Sequence, residues 1–202
     1  MPNQIPLDPS MPSALQPTNV FTFQSLTATG NPLLIESPKQ QLTIRGQTVS
    51  FDMVEGMFSI EDSQQSTVNI GNHQFEVASF QYQMVADLKQ LGVFVAKGAG
   101  SFHSTDPDSA ENVITVSWNR NCTLEKLENE HLLSLEGKAE INLSGVGKIS
   151  SDRIHIWLEE SLDSSHQANS QASKNKITPV RILASGDTFL DTVELQANTQ
   201  RA

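Results

Sequence analysis

The stretch Leu135-Glu136-Gly137-Lys138-Ala139-Glu140-Ile141-Asn142-Leu143, followed past Gly145 and Gly147 by Ile149-Ser150-Ser151-Asp152-Arg153-Ile154-His155-Ile156-Trp157-Leu158, decides the fold. Apolar and polar residues alternate with period two in both halves. This puts Ala139, Ile141 and Leu143 on one face of a strand, and Ile154, Ile156 and Leu158 on one face of the next. The phrase recurs loosely, a Gly turn opening a strand and a small residue introducing a second. Ala96-Lys97-Gly98-Ala99-Gly100-Ser101-Phe102 leads into Val113-Ile114-Thr115-Val116-Ser117-Trp118, and Ala184-Ser185-Gly186-Asp187-Thr188-Phe189-Leu190 into Val193-Glu194-Leu195-Gln196-Ala197-Asn198. Each phrase carries one apolar stripe too small to shelter itself, so neighbouring phrases must stack and share a core.

Working outward, the same alternation runs through Val49-Ser50-Phe51-Asp52-Met53 and Phe80-Gln81-Tyr82-Gln83-Met84. The fold class expected is all-β, with stacked antiparallel strand repeats forming an open β-jellyroll or solenoid-like domain. Two segments also fit a helical spacing: Met84, Leu88 and Leu91 before Gly92, and Leu124, Leu127 and His131. Residues 103–112, with Asp106-Pro107-Asp108-Ser109, read as a turn. Five of the nine prolines fall in the first 17 residues, so residues 1–19 are expected to be a disordered Pro-rich lead-in. Residues 20–202 then form a single β-repeat domain, with a mobile loop at 161–176 where the polar run has little to bury. The repeat ending at Arg201-Ala202 suggests a piece of a longer chain, since another strand is due there.

A formal charge of -10 repels phosphate backbones, so nucleic acid is not an expected partner. The longest apolar run, Val93-Phe94-Val95-Ala96, is strand-sized and far short of a membrane helix, so no transmembrane segment is expected. The amino terminus has neither the cationic nor the apolar region of a secretory signal. One cysteine, Cys122, rules out an internal disulfide.

On Gly137-Lys138-Ala139-Glu140-Ile141, Ser151-Asp152-Arg153-Ile154 and Ala184-Ser185-Gly186-Asp187-Thr188-Phe189, the sequence resembles the LptA/OstA-like family of organic-solvent-tolerance and lipopolysaccharide-transport proteins. Together with Val116-Ser117-Trp118 and Ile154-His155-Ile156-Trp157-Leu158-Glu159-Glu160, the order of phrases over roughly residues 42–200 is most similar to planctomycete envelope members. The resemblance implies a sheet folded into a U- or V-shaped section whose apolar interior holds acyl chains, and a periplasmic or cell-envelope location. The missing signal peptide and the insert at 161–176 depart from that pattern.

The histidines (His73, His103, His131, His155 and His166) show no paired metal-ligand spacing, so neither a metal nor another cofactor is expected. His155, Trp157 and Glu159 share a face, but a hydrolytic site needs a nucleophile beside the histidine. Ser151, Asp152 and Arg153 alternate faces and build no relay. Gly98-x-Gly100 lacks the third glycine of a dinucleotide loop and reads as turn chemistry. Glu159 and Glu160 would support glycoside hydrolysis only if two carboxylates converged in a cleft. Trp118, Trp157 and Tyr82 are too few to indicate a carbohydrate platform.

The expected function is therefore non-catalytic. The stripes offer Ile114, Val116, Trp118, Ile141, Leu143, Ile154, Ile156 and Leu158 as lipid-groove candidates, the partner being a lipid or lipopolysaccharide-like molecule. The alternative is a packed scaffold that joins other β-repeat modules, or a second copy of itself, through exposed edge strands.

Overall fold

The computed structural model describes residues 23–84, 91–106, 109–128, 130–162, 175–192 and 196–199. They form one antiparallel sheet of 12 strands. In chain order these are β1 (Ser25–Ser37), β2 (Leu42–Asp52), β3 (Met57–Ile70), β4 (His73–Gln83), β5 (Val93–Asp106) and β6 (Ser109–Trp118). Then follow β7 (Asn121–Lys126), β8 (His131–Leu143), β9 (Gly147–Leu162), β10 (Asn175–Ser185), β11 (Thr188–Thr192) and β12 (Gln196–Thr199). The all-β expectation of stacked antiparallel strands holds. Among the described residues the sole helical element is the short turn Pro38–Gln40.

The long strands are broken at the same level. Register shifts fall at Thr29/Leu33, Arg45/Thr48, Glu61/Ser66, Val77/Ser79 and Glu136/Ala139 in successive pairs. A bulge bends its strand and increases the local twist, so a row of them folds the sheet along a line. Two strand pairs make the same bend by interruption. Strand β5 pairs with β7 up to Lys97 and with β6 from Gly100, the chain crossing between β6 and β7 at Asn119-Arg120. Strand β9 pairs with β10 from Arg153 onward and with β11 before Ser151, the crossing lying at Gly186-Asp187. Counting β6–β7 and β10–β11 as bent strands, the fold is a meander creased down its middle, with a first and a second arm.

The inner faces of the arms pack on each other. One buried cluster joins Ala96, Cys122, Leu135, Ile154 and Ile156 of the first arm to Val77, Val116, Trp118, Ala139 and Ile141 of the second. A smaller one joins Val49 and Ile60 to Ile44 and Val68. Phe80 packs against both clusters, so the core is continuous along the crease. The period-two stripes thus become the lining of a fold in the sheet.

Several expectations are corrected. Gly98 and Gly137, with φ of 85° and 83°, lie inside β5 and β8 at the crease, where the left-handed backbone is needed for the bend. They are not turns between strands, and the repeating unit is arm, bend, arm. Leu124 and His131 belong to β7 and β8, and Leu127 to the turn between them, so no helix forms there; cross-strand pairing outweighs the helical spacing. Within 103–112, His103 pairs with Thr115 and Ser104 with Ile114, so both strands run into the expected turn. Ser161 and Lys176 are paired in β9 and β10; the rest of the expected loop, 163–174, lies outside the described residues, as do residues 85–90 of the other helical reading and the lead-in at 1–19.

Candidate functional site

The eight groove candidates divide between the arms. On the second arm, Ile114 faces Leu143 and Val116 faces Ile141 across β6 and β8, while Trp118 faces Gly100 across β5. On the first arm, Ile154, Ile156 and Leu158 of β9 face Leu135, Leu133 and His131 of β8. The packed cluster brings six of them together: Val116, Trp118, Ile141, Ile154 and Ile156 are buried, and Leu158 packs against them half-buried. Ile114 and Leu143 stay apart from it, 40% and 36% exposed.

This split follows strand position. Along β6, exposure falls from 40% at Ile114 to 9% at Val116 and 3% at Trp118 as the strand descends to the crease. Ile114 and Leu143 share their rung with Ser104, His73 and Ile70, and Ile70 is also exposed. The inner surface is therefore a closed apolar floor with a solvent-open lip, on which Ile114 and Leu143 lie to one side of the polar pair Ser104 and His73, and Ile70 to the other. At the tip of the first arm, Phe94 and Leu124 line a depression of about 430 Å³ together with outward-facing Gln81, Val93 and Val95.

Other lining residues lie outside the eight groove candidates. Phe75 lies 4.6 Å from Phe102 and 6.4 Å from Phe80, which lies 5.5 Å from Phe94, centroid to centroid. Phe75 and Phe80 lie on β4 and Phe94 and Phe102 on β5, and only the register of the two strands strings the four into a row. Leu135, fully buried, stands at the repeat's opening, and the pairing with Ile154 makes it core.

No family model matches this chain, and no curated protein sequence matches it. Among solved structures, it is similar to the crystal structure of LptH from Pseudomonas aeruginosa, described as the LptA-homologous periplasmic component of the lipopolysaccharide transport device. The two share 13% sequence identity and a TM-score of 0.44, over 69% of this chain and 95% of that one.

The outer faces carry most of the polar chemistry. His155 Nδ1 lies 2.9 Å from the Ser134 hydroxyl, so a serine does stand beside the histidine, supplied by the neighbouring strand. The same arrangement recurs on the outer face as His103 with Thr115 at 3.4 Å, and on the inner face, on the rung of Ile114, as His73 with Ser104 at 2.8 Å. All three are directly opposed cross-strand pairs, which is the ordinary way a sheet face satisfies polar side chains. The Arg181 guanidinium lies 3.8 Å above the Trp157 ring. Trp118 is buried on the inner face, so these two tryptophans form no shared platform. Glu160 accepts a hydrogen bond from the Leu91 backbone N–H, whereas Glu159 borders a separate recess with Leu127, Glu128 and Glu130. Among the described residues, no three His, Cys, Asp or Glu side chains are grouped to hold a metal ion.

Cys122 lies in the core, and burial pushes its thiol up to about 12 by desolvating the thiolate. At neutral pH it is a thiol packed as a small apolar group.

Proposed function

We propose that this domain is a non-catalytic cell-envelope module, of the lipopolysaccharide-transport bridge type, that shields acyl chains between the two arms of its folded sheet. The observation that carries this reading is the gradient from a buried apolar floor at Trp118, Val116 and Ile141 to the exposed aliphatic pair Ile114 and Leu143 at the lip. A stripe serving only as core has no need of large aliphatic side chains on its inner face where solvent begins, and paired exposed aliphatics beside a buried apolar floor suit a binding region. Each methylene covered contributes about 0.8 kcal/mol, so a chain of moderate length is held without any reaction. The periplasm and outer-membrane biogenesis belong to this reading, supported by the motifs shared with the LptA/OstA-like family. The test is to purify the domain without detergent from an envelope fraction, extract it with organic solvent and identify acyl-bearing lipid by mass spectrometry. Stoichiometric lipid supports the proposal, and its absence together with failure to take up added lipid contradicts it.

One observation favours the second reading, a scaffold that assembles through edges. Strand β10 pairs only with β9 among the described residues, and Val180, Ile182 and Leu183 on it are exposed. Such an edge is a template for another strand. Concentration-dependent association in sedimentation, abolished by Ile182→Lys with lipid uptake intact, is the outcome expected if this edge pairs with another chain.

A further inference from the structure

We propose that His73 and Ser104 form a head-group subsite at the lip of the trough between the arms, that the amphiphile held there carries an acidic head, and that protonation of His73 strengthens its binding. This rests on the lipid-shielding reading above and narrows its ligand class. The subsite lies on exposed surface, above the packed floor. Leu42, Ile70, His73, Ser104, Ile114 and Leu143 follow one another in register across β2, β3, β4, β5, β6 and β8. Ile70, Ile114 and Leu143 are 45%, 40% and 36% exposed, and His73 is exposed between them.

His73 is the one ionisable side chain described on this rung. The rung beneath it, Val68, Phe75, Phe102, Val116 and Ile141, has none, and neither has the next, from Ser66 and Val77 to Gly100 and Trp118. Its partners on the flanking strands, Ile70 and Ser104, are uncharged. Glu76 and His103, the titratable groups nearest to it in register, take the opposite face, where Glu76 bonds Gln74 and Ser101 and His103 bonds Thr115. A cation formed on His73 therefore meets no carboxylate among the described side chains on the inner face of this arm.

The ring is held for such a use. Its Nδ1 lies 2.8 Å from Ser104 Oγ, and it stacks beside Phe102 with 6.0 Å between centroids and 22° between planes. These contacts fix one nitrogen and the ring plane, and leave Nε2 with no protein partner among the described residues. In the protonated imidazole Nδ1–H donates to the Ser104 oxygen, which frees the serine proton, so Nε2–H and the Ser104 hydroxyl are two donors for an acidic group. His103 makes the same kind of pair, but its neighbours in register are Gln74 and, beyond Thr115, Asn142, a polar surface with nothing to hold a chain. Neighbouring strands stand about 4.8 Å apart, so Ile114 lies about 5 Å and Leu143 about 10 Å beyond Ser104, and a chain leaving the head runs over both.

The probes are N-oleoyltaurine and N-oleoylethanolamine, which share chain and amide and differ in a sulfonate, charged throughout, against a hydroxyl. Each is titrated at about pH 5.5 and about pH 8, on either side of the ordinary histidine range, into the wild type, His73→Gln and the outer-face control His103→Gln. The proposal expects the sulfonate to bind the wild type and His103→Gln roughly three- to fivefold more tightly at the lower pH, and this gain to be lost in His73→Gln. The ethanolamide should bind all three proteins equally at both pH values. In labelled wild type, the His73 ring resonances, assigned by through-bond correlation, should move with the sulfonate at the lower pH and stay with the ethanolamide, a readout that needs no variant. N-Acetyltaurine, the head without the chain, should not bind; binding as tight as that of the oleoyl compound makes this a site for free anions and overturns the proposal. Equal pH dependence in wild type and His73→Gln, or an unmoved His73 resonance, also overturns it and leaves the lipid reading intact. Failure of both oleoyl amides to bind overturns the lipid reading and the proposal with it.

Discussion

Cys122 and the floor of the trough give the sharpest expectations for single residues. Because the folded thiol ionises near 12 against an ordinary value of 9.0, the unfolded chain releases this proton first as the pH rises. Stability contributed by the neutral thiol is therefore complete below about pH 9 and declines above it, by up to about 1.4 kcal/mol per pH unit. Chemical denaturation of wild type and Cys122→Ala at pH 8 and pH 10.5 should show a steeper loss in the wild type, and equal slopes would contradict the burial described. Ile156→Ala is expected to destabilise by about 2–5 kcal/mol because it opens a cavity among packed neighbours. Leu143→Ala, on the lip, should cost under about 1 kcal/mol in the same assay. The sequence pattern places both residues on the inward stripe but does not separate floor from lip. Alternation reports which face a side chain takes, and its depth depends on how far along the strand the opposite arm reaches.

At the scale of the strand, the expected elements and the inner-facing stripes are found, while the bends were misassigned. Gly98 and Gly137 look like turn residues in sequence because a left-handed backbone serves a turn and a mid-strand bulge equally well. Only the aligned register shifts across five strand pairs distinguish the two. Leu124, Leu127 and His131 also fit a helical spacing because three apolar or aromatic residues at that spacing arise equally from the end of one strand and the start of the next. The Ser134–His155 pair escaped notice because its two members are 21 residues apart and meet only through register. Gly100 provides the test at this scale. Gly100→Ala should destabilise by about 1–3 kcal/mol through overlap with the Trp118 ring and the Glu76 carbonyl. Gly145→Ala, where nothing lies within 4 Å, should show only the cost of its φ of 75°. Thermal melts measure both variants against wild type, and an unchanged midpoint for Gly100→Ala would contradict the fitted seat for the indole.

Across the whole molecule, a meander folded along a crease gives every strand its neighbours from adjacent sequence while still making a core between the arms. The molecule has the polar outer faces and apolar inner faces of a sandwich, but its arms are the two ends of the same strands and are joined along one side. Opening the fold at the lip thus breaks side-chain packing without breaking strand pairing, which suits a surface meant to admit a long apolar chain. The decisive measurement is a titration of a neutral pyrene-labelled acylglycerol into the wild type and Ile114→Asp, with thermal midpoints recorded beside it. Because Ile114 is 40% exposed, a carboxylate there should leave the fold standing, yet a bound chain would bury it at a cost of several kcal/mol. The account predicts saturable binding by the wild type, at least tenfold weaker binding by Ile114→Asp, and midpoints within a few degrees of each other. Equal affinity in the two proteins, or no saturable binding by the folded wild type, would contradict it.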